Sequence, residues 1–528
     1  MDINSAWKGA CRVLLGEEIG ELGEYAGYLK KYREPLRQEK SGLTGKPIYV
    51  AEQDFCRGAR FIKLEETGEY LEKLGKAQID FEKIASLDSL LSAVFPKAYY
   101  AGNIVLGNSG HCVDSDRCSN VFYALESHSI SDSKYCAYSS LLRTCDNCFG
   151  TSMEGQGSML INCSYGFKPI RCFECLRMMN CSDCYFSSSL ENCQNCIFCF
   201  NLMNKNHCVG NVQLTKEEYA SFKKKFLFEL VATLKKEKRA IGIADILSFI
   251  RGGAIMGRPE IQRGVKSSPY FGESEVSQKI EEGFRKTTRL LLGKELAGIG
   301  KYERWLFRSV AVPGRIKSAA SGKILHNMPV AAYSFLKESC VTYEEAEMLG
   351  KRSLGKEELG KLALHSAKQI LGDIAYSTPE TKLGESHDIG DAVNYSDSRS
   401  CWRGSVYWTS KYCCYNFWIR DGEYVFGSDL VFYSSFCLKC FNSNHLARCF
   451  EVSESLSCTD CYFCHNCENL ADCMFCFNVK AKRYAIGTVE VGRESYMRIR
   501  KMVLGEIASE LEREHDLKIS IYNVGCKV

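Results

Sequence analysis

The chain has 528 residues, 45% of them hydrophobic and 25% charged, with a net charge of +4. That composition excludes an intrinsically disordered protein, and so small a charge gives no argument for a nucleic-acid partner. No apolar run approaches the roughly 20 residues of a membrane helix, so no membrane partner is expected.

The opening stretch, Met1 to Leu29, carries Asp2, Lys8, Glu17 and Glu18 among its apolar residues and reads as neither a signal nor a transit peptide. A cytoplasmic location is the expectation. Thirty cysteines in such a chain read as thiols or metal ligands, not as a disulfide framework.

In residues 3–30 and 63–95, Trp7, Leu14, Leu15, Ile19 and Leu22, then Leu71, Leu74, Phe81 and Ile84, fall near helical spacing. The helical N-terminal part is thus 1–100, followed by a cysteine-rich segment, 101–213. The exit part, 214–251, opens on a capping-box match, Thr215 to Glu218, with Tyr219, Phe222, Phe226, Leu230 and Leu234 on one face. A Gly-, Arg-, Ser- and Pro-rich stretch, 252–277, reads as a linker.

The series then repeats. Residues 1–251 and 278–528 align without a gap at an offset of 277, giving second-copy parts 278–377, 378–490 and 491–528. Ser133 to Cys136 faces Ser410 to Cys413, Arg171 to Glu174 faces Arg448 to Glu451, and Cys181 to Phe186 faces Cys458 to Phe463.

Fourteen cysteines lie between Cys112 and Cys208, every gap a multiple of three, and the twelve from Cys401 to Cys476 obey the same rule except Cys414. Many stand nine apart: Cys163, Cys172 and Cys181, then Cys440, Cys449, Cys458, Cys467 and Cys476. An α-helix loses phase with period three within a few turns, long 3₁₀ helices are disfavoured, collagen needs glycine at every third place and an ordinary strand has period two. The spacing therefore predicts a mixed α and β fold: two tandem copies of a helix–parallel β-solenoid (β-helix)–helix module. Coils of about 18 residues are favoured, with nine or 27 left open. The polar residues Asn147, Gln156, Glu174, Asp183, Asn192 and Asn201 are expected at corners, Cys136, Ser139, Leu142, Cys145, Cys148, Leu160 and Leu202 inside, and Asp146, Glu174 and Asp183 exposed. The flanking helices are expected to cover the open ends.

The run from Leu190 through Cys193, Cys196 and Cys199, followed by Phe200 to Tyr219, resembles a group of uncharacterised cysteine-repeat proteins of small-genome bacteria and archaea. These have cysteine at every third residue and end in a Lys-x-Tyr-Cys … Tyr-Ser-Lys-Glu-Glu-Tyr passage. Asn206-His207-Cys208 and Leu214 to Tyr219 match it in part. The resemblance implies the architecture and no chemistry.

The duplication weighs packing against ligation. Cys112, Cys118, Cys148, Cys175, Cys193 and Cys208 face Ile389, Tyr395, Val425, Val452, Leu470 and Ala485, while Cys467, Cys437 and Cys401 face Leu190, Leu160 and Ala124. A metal ligand is not exchanged for Leu or Val, whereas a core filler is. One pattern is kept whole: Cys181, Cys184, Cys196 and Cys199 recur as Cys458, Cys461, Cys473 and Cys476. Paired CxxC motifs at this separation suit zinc or an iron–sulfur centre, although period three generates CxxC by itself. These eight cysteines are the metal candidates; no catalytic or cofactor-binding residue stands out.

Glu174 and Asp183 recur as Glu451 and Asp460, and Arg171 as Arg448, which leaves a carbohydrate-active enzyme as a third reading beside solvated corners. His111, His128 and His207 have no histidine counterparts, and the chain contains no P-loop, GxGxxG after a strand or GxSxG. The basic run Lys223 to Lys225 with Lys235, Lys236, Lys238 and Arg239 reads as a solvated helix face. The expectation is a non-enzymatic, two-lobed repeat scaffold with a thiol-lined core and a protein partner, the alternative a zinc-binding or iron–sulfur scaffold.

Overall fold

The computed structural model describes residues 2–75, 79–147, 149–150, 152–159, 161–162, 164, 166, 170–249, 276–336 and 338–526. The expected linker lies outside these residues except at 276 and 277, as do Cys148, Leu160 and Cys163.

The period of three has a backbone cause. At every third residue from His111 to Asn147, φ is positive, between 43° and 63°. The same spacing runs from Glu174 to His207 and from Asp421 to Tyr484, with Gly427 taking one of the places. Two extended residues and one left-handed residue make a short side and a corner. A non-glycine residue held there costs on the order of 1 kcal/mol, least for Asn and Asp, which explains Asn147, Asp183, Asn192 and Asn201 at such corners. Four sides return the chain to its starting direction. Among the described residues between Gly110 and Val209, residue i therefore pairs in parallel with i+12, as in Cys172↔Cys184, Cys184↔Cys196 and Cys196↔Cys208. The same register runs from His387 to Ile486, including Cys461↔Cys473. Backbone bonds such as Phe198 N to Tyr185 O (3.0 Å) and Ser188 N to Cys199 O (2.9 Å) stitch adjacent rungs.

The residue after each corner points inward. Cys458, Cys461, Cys464 and Cys467 follow one another on four successive sides and meet in one core, so the strands form a closed parallel wall. Leu142, Ser139 and Leu202 are buried in the first wall, as the inward phase requires, and burial does not alternate every second residue.

These findings correct the expected fold class of two tandem helix–parallel β-solenoid (β-helix)–helix modules with coils of about 18 residues. The chain is mixed α and β, with twelve α-helices among the described residues and parallel walls of register 12. The nine-residue spacing marks a diagonal neighbour. An inward thiol at i reaches the carbonyl of i+9, one side short of a full circuit, as in Cys440 Sγ to Cys449 O and Cys449 Sγ to Cys458 O (both 3.4 Å).

The compact units do not follow the two copies. One unit comprises Met1–Arg37, Asn103–Ile261 and Arg315–Glu380; the other comprises Gln38–Gly102, Gln262–Gly314 and Thr381–Val528. Each wall is completed by a segment from the other copy, and 38–102 and 315–380 occupy matching places in the alignment. The exchanged segments are not simply helical. Arg37–Lys40 pairs with Pro47–Val50, Phe61–Lys63 with Tyr100–Gly102, and Gly314–Lys317 with Ile324–Asn327.

Their seats are equivalent. In the first unit Asn201 Nδ2 donates to Tyr376 O (2.9 Å), and the hydroxyls of Ser188 and Ser377 are 2.7 Å apart. In the second, Asn478 Nδ2 donates to Tyr99 O (2.8 Å), and Ala101 N donates to His465 Nε2 (3.0 Å).

Flanking helices lie along an outer face of each wall. Phe149, Ile161, Phe173, Tyr185, Ile197 and Val209 recur every 12 residues and are buried. Helix Ile3–Leu15, capped by Asp2 and Gly16, sets Trp7 against Phe149 (5.3 Å between ring centres). Helix Lys216–Glu237, capped by Thr215, sets Phe226 against Tyr185, Phe186 and Phe198. Each such ring contributes about 1.5–3 kcal/mol by leaving water. The second wall repeats the contact, since Tyr462 OH donates to Leu291 O as Tyr185 OH does to Leu14 O. The C-terminal rung of each wall ends in a short antiparallel pairing, Val209↔Val212 and Ile486↔Val489.

Candidate functional site: the thiol-lined cores and two buried glutamates

All eight candidate metal ligands lie inside the walls. Cys181, Cys184, Cys196 and Cys199 belong to the first core and Cys458, Cys461, Cys473 and Cys476 to the second, each no more than 1% exposed. In the first core Cys181 and Cys184 are joined by a disulfide, whereas their counterparts Cys458 and Cys461 are free. The free thiols donate to backbone carbonyls two residues back: Cys196 to Gln194 O and Cys199 to Ile197 O (3.4 Å), Cys461 to Thr459 O and Cys473 to Ala471 O (3.3 Å). Among the described residues, no group of three or more His, Cys, Asp or Glu side chains is placed to hold a metal ion.

Serine does the same work at other inward places. Ser139 Oγ donates to Ala137 O (2.9 Å). Ser127 Oγ donates to Leu125 O (2.8 Å) while accepting from Ser139 N on the next rung (3.0 Å). The inward position thus takes a small side chain with a donor for the carbonyl two residues back, or a purely apolar one. Val425, Val452, Leu470 and Ala485, which replace cysteines of the first copy, are all buried in the second core, and Leu190 and Ala124 are buried in the first. Ile389 and Tyr395, on the first rungs of the second wall, are half-buried. Burial pushes the Cys414 and Cys440 thiols well above their ordinary range, which keeps them protonated and unreactive.

The carboxylates divide. Asp146 is exposed and Asp183 half-exposed, but Glu174 is fully buried, against the expectation of exposure. Glu174 accepts from Tyr28 OH, from Asn162 Nδ2 (2.8 Å) and from Ile243 N (2.9 Å), which opens the short helix Ile243–Leu247. Burial raises its pKa against the opposing pull of Lys31 and these donors. Its counterpart Glu451 is buried too and accepts from Ile521 N (2.8 Å). Lys439 stands one rung before it, where the first copy has Asn162. Burial raises Glu451 to about 7 and lowers Lys439 to about 8. Both glutamates hold down the segment that follows the exit helix of their copy. Asp460 is instead paired with Arg448 through two bonds of 2.9 and 2.6 Å. Neither wall therefore offers these carboxylates as a converging pair.

His111 stacks on Tyr123 (4.5 Å), buried His128 Nε2 lies 3.1 Å from Glu34 O, and His207 lies 5.3 Å from the Tyr219 ring; the three do not form one group. The basic helix face is partly neutralised, since Lys235 pairs with Glu17 and Lys238 with Glu24 (both 2.5 Å), and Lys223 sits over the Tyr185 ring. Sequence reasoning missed Lys439 and His465, which stand in one copy only, and gave Asn201 its corner but not its bond to the exchanged segment. Among the described residues no helix is long and apolar enough to cross a membrane. No family model, curated protein or solved structure matches the chain.

Proposed function

We propose that the protein is a non-enzymatic scaffold or protein-interaction protein whose cysteines fill two narrow cores. The observation that carries this reading is the exchange of inward cysteines for Val, Leu or Ala between the copies with no loss of burial. A ligand would not tolerate that exchange; a packed position does. The buried glutamates and the Arg448–Asp460 pair support the same reading, because each spends its charge on structure. The partner class it implies is another protein, met by the outer faces of the walls.

Elemental analysis of the full chain purified without added metal tests the proposal. The expected result is no zinc or iron near stoichiometry; one or more equivalents that resist dialysis would overturn it. One observation favours a zinc or iron–sulfur scaffold instead: the quartet Cys181, Cys184, Cys196 and Cys199 recurs whole as Cys458, Cys461, Cys473 and Cys476. A stoichiometric metal lost on Cys461→Ala would establish that alternative.

A further inference from the structure

Four cysteines stand outside the two arrays: Cys11, Cys56, Cys340 and Cys526. Cys11 and Cys340 are buried, with burial pushing Cys11 up to about 12. Cys56 and Cys526 are half-exposed and are joined to each other, their Cα atoms 6.6 Å apart and 470 residues separated in sequence. We propose that Cys56 and Cys526 form a redox-controlled latch that fastens the C-terminal segment onto the exchanged segment 38–102.

Non-covalent contacts place the two thiols together. Cys56 N donates to Tyr522 O (3.1 Å), and Tyr100 OH donates to Ile521 O (2.7 Å) and accepts from Gly525 N (3.1 Å). The rings of Phe55 and Tyr522 meet edge to face at 5.1 Å, and Tyr522 OH donates to Glu52 (3.2 Å). The duplication supplies a second, independent observation. The matching positions of the other copy are Tyr333 and Phe249, so both cysteines stand in one copy and neither in the other. A packing role for either residue alone gives no reason for that joint occurrence; a bond between them does.

The chemistry is thiol–disulfide exchange with a low-molecular-weight disulfide of the glutathione class as oxidant. One thiolate attacks a sulfur of that disulfide and expels the first small thiol. The second protein thiolate then attacks the mixed disulfide and expels the second. The protein thiols lose two protons and two electrons, and the oxidant leaves as two thiols. Half-exposure admits the oxidant to this pair, whereas the described free thiols of the arrays, Cys112 excepted, are buried. Because the bond closes a loop of most of the chain, it constrains the unfolded state strongly. Opened, it frees the residues whose backbone satisfies Glu451.

The test equilibrates the full chain in glutathione buffers from fully reduced to fully oxidised. It reads the Cys56–Cys526 cross-linked peptide by mass spectrometry and the exchange of amides 517–526. The expected result is a cross-link that forms and reverses across the series, with amide exchange at least about ten-fold slower in the oxidised protein. Cys56→Ser and, as an independent variant, Cys526→Ala should each abolish the difference while keeping the wild-type circular dichroism. No cross-link at any ratio, or a redox-dependent exchange that survives in either variant, overturns the proposal.

Discussion

The two units hold the same buried glutamate by different means. In the first, Glu174 is met by neutral donors, Asn162 and Tyr28, besides the backbone of Ile243. In the second, Glu451 keeps the backbone donor from Ile521, but the Asn162 position is Lys439 and the Tyr28 position is Trp305. One copy answers the desolvation of a carboxylate with neutral donors; the other keeps the backbone donor alone, while the Lys439 ammonium binds the carbonyls of Leu306 and Arg308 and acts on Glu451 only through its charge. An inherited anchor can thus survive while its partners change, provided that the charge is answered from the neighbouring rung. The asymmetry gives each copy a different sensitivity to mutation and to pH.

The largest effect should come from removing the cation. Lys439→Met removes the charge-assisted bonds to Leu306 O and Arg308 O together with the favourable field at Glu451, and should cost about 3–5 kcal/mol at pH 7, read as a fall in the urea midpoint. Asn162→Ala at the matching place removes one hydrogen bond and should cost about 1–3 kcal/mol. Equal losses would break the comparison.

The pH dependence sharpens it. Glu451 has a folded pKa raised from 4.5 to about 7, so the native chain holds its proton where the unfolded chain has lost it. Its contribution is greatest below pH 4.5 and is lost as pH rises to 7. Fully expressed, that slope amounts to about 3 kcal/mol. Lys439, lowered to about 8, acts in the opposite sense, with stability recovering as pH rises from 8 towards the ordinary lysine value. Glu451→Gln should flatten the acid-side slope in urea titrations between pH 4.5 and 7. A slope unchanged in that variant would contradict the assignment.

Much of this was legible in the sequence, and the illegible part has physical reasons. The period of three pointed to corners and an inward column, and Asn192, Asn201, Leu142 and Ser139 fall where it placed them. The coil length was not legible, because the nine-residue cysteine spacing records a thiol reaching a diagonal carbonyl, not the return of the strand. Glu174 looked like a solvated corner because its left-handed position is shared with Asp183, which is half-exposed; what buries it comes from residues distant in sequence. The exchange of 38–102 and 315–380 was invisible for a related reason. An ungapped alignment is equally compatible with each segment docking on its own wall or on the other copy's.

The equivalence of the two exchanged seats predicts smaller, matched effects. Asn201→Gly and Asn478→Gly keep the left-handed corner but lose the side-chain bond to Tyr376 O or Tyr99 O. Each should cost about 1 kcal/mol in chemical denaturation. A loss confined to one of them would show that the seats are not equivalent.

The smallest expected effect tests the central claim most directly. Cys193→Leu and Cys175→Val carry the second copy's residues, Leu470 and Val452, into the first core. Thermal unfolding of the double variant, with bound zinc and iron measured on the same sample, is the decisive experiment. If the cysteines are packing residues, each swap costs less than about 1.5 kcal/mol, the melting temperature falls by no more than a few degrees and the metal content is unchanged. A collapse of the melting temperature accompanied by loss of a stoichiometric metal would contradict the account.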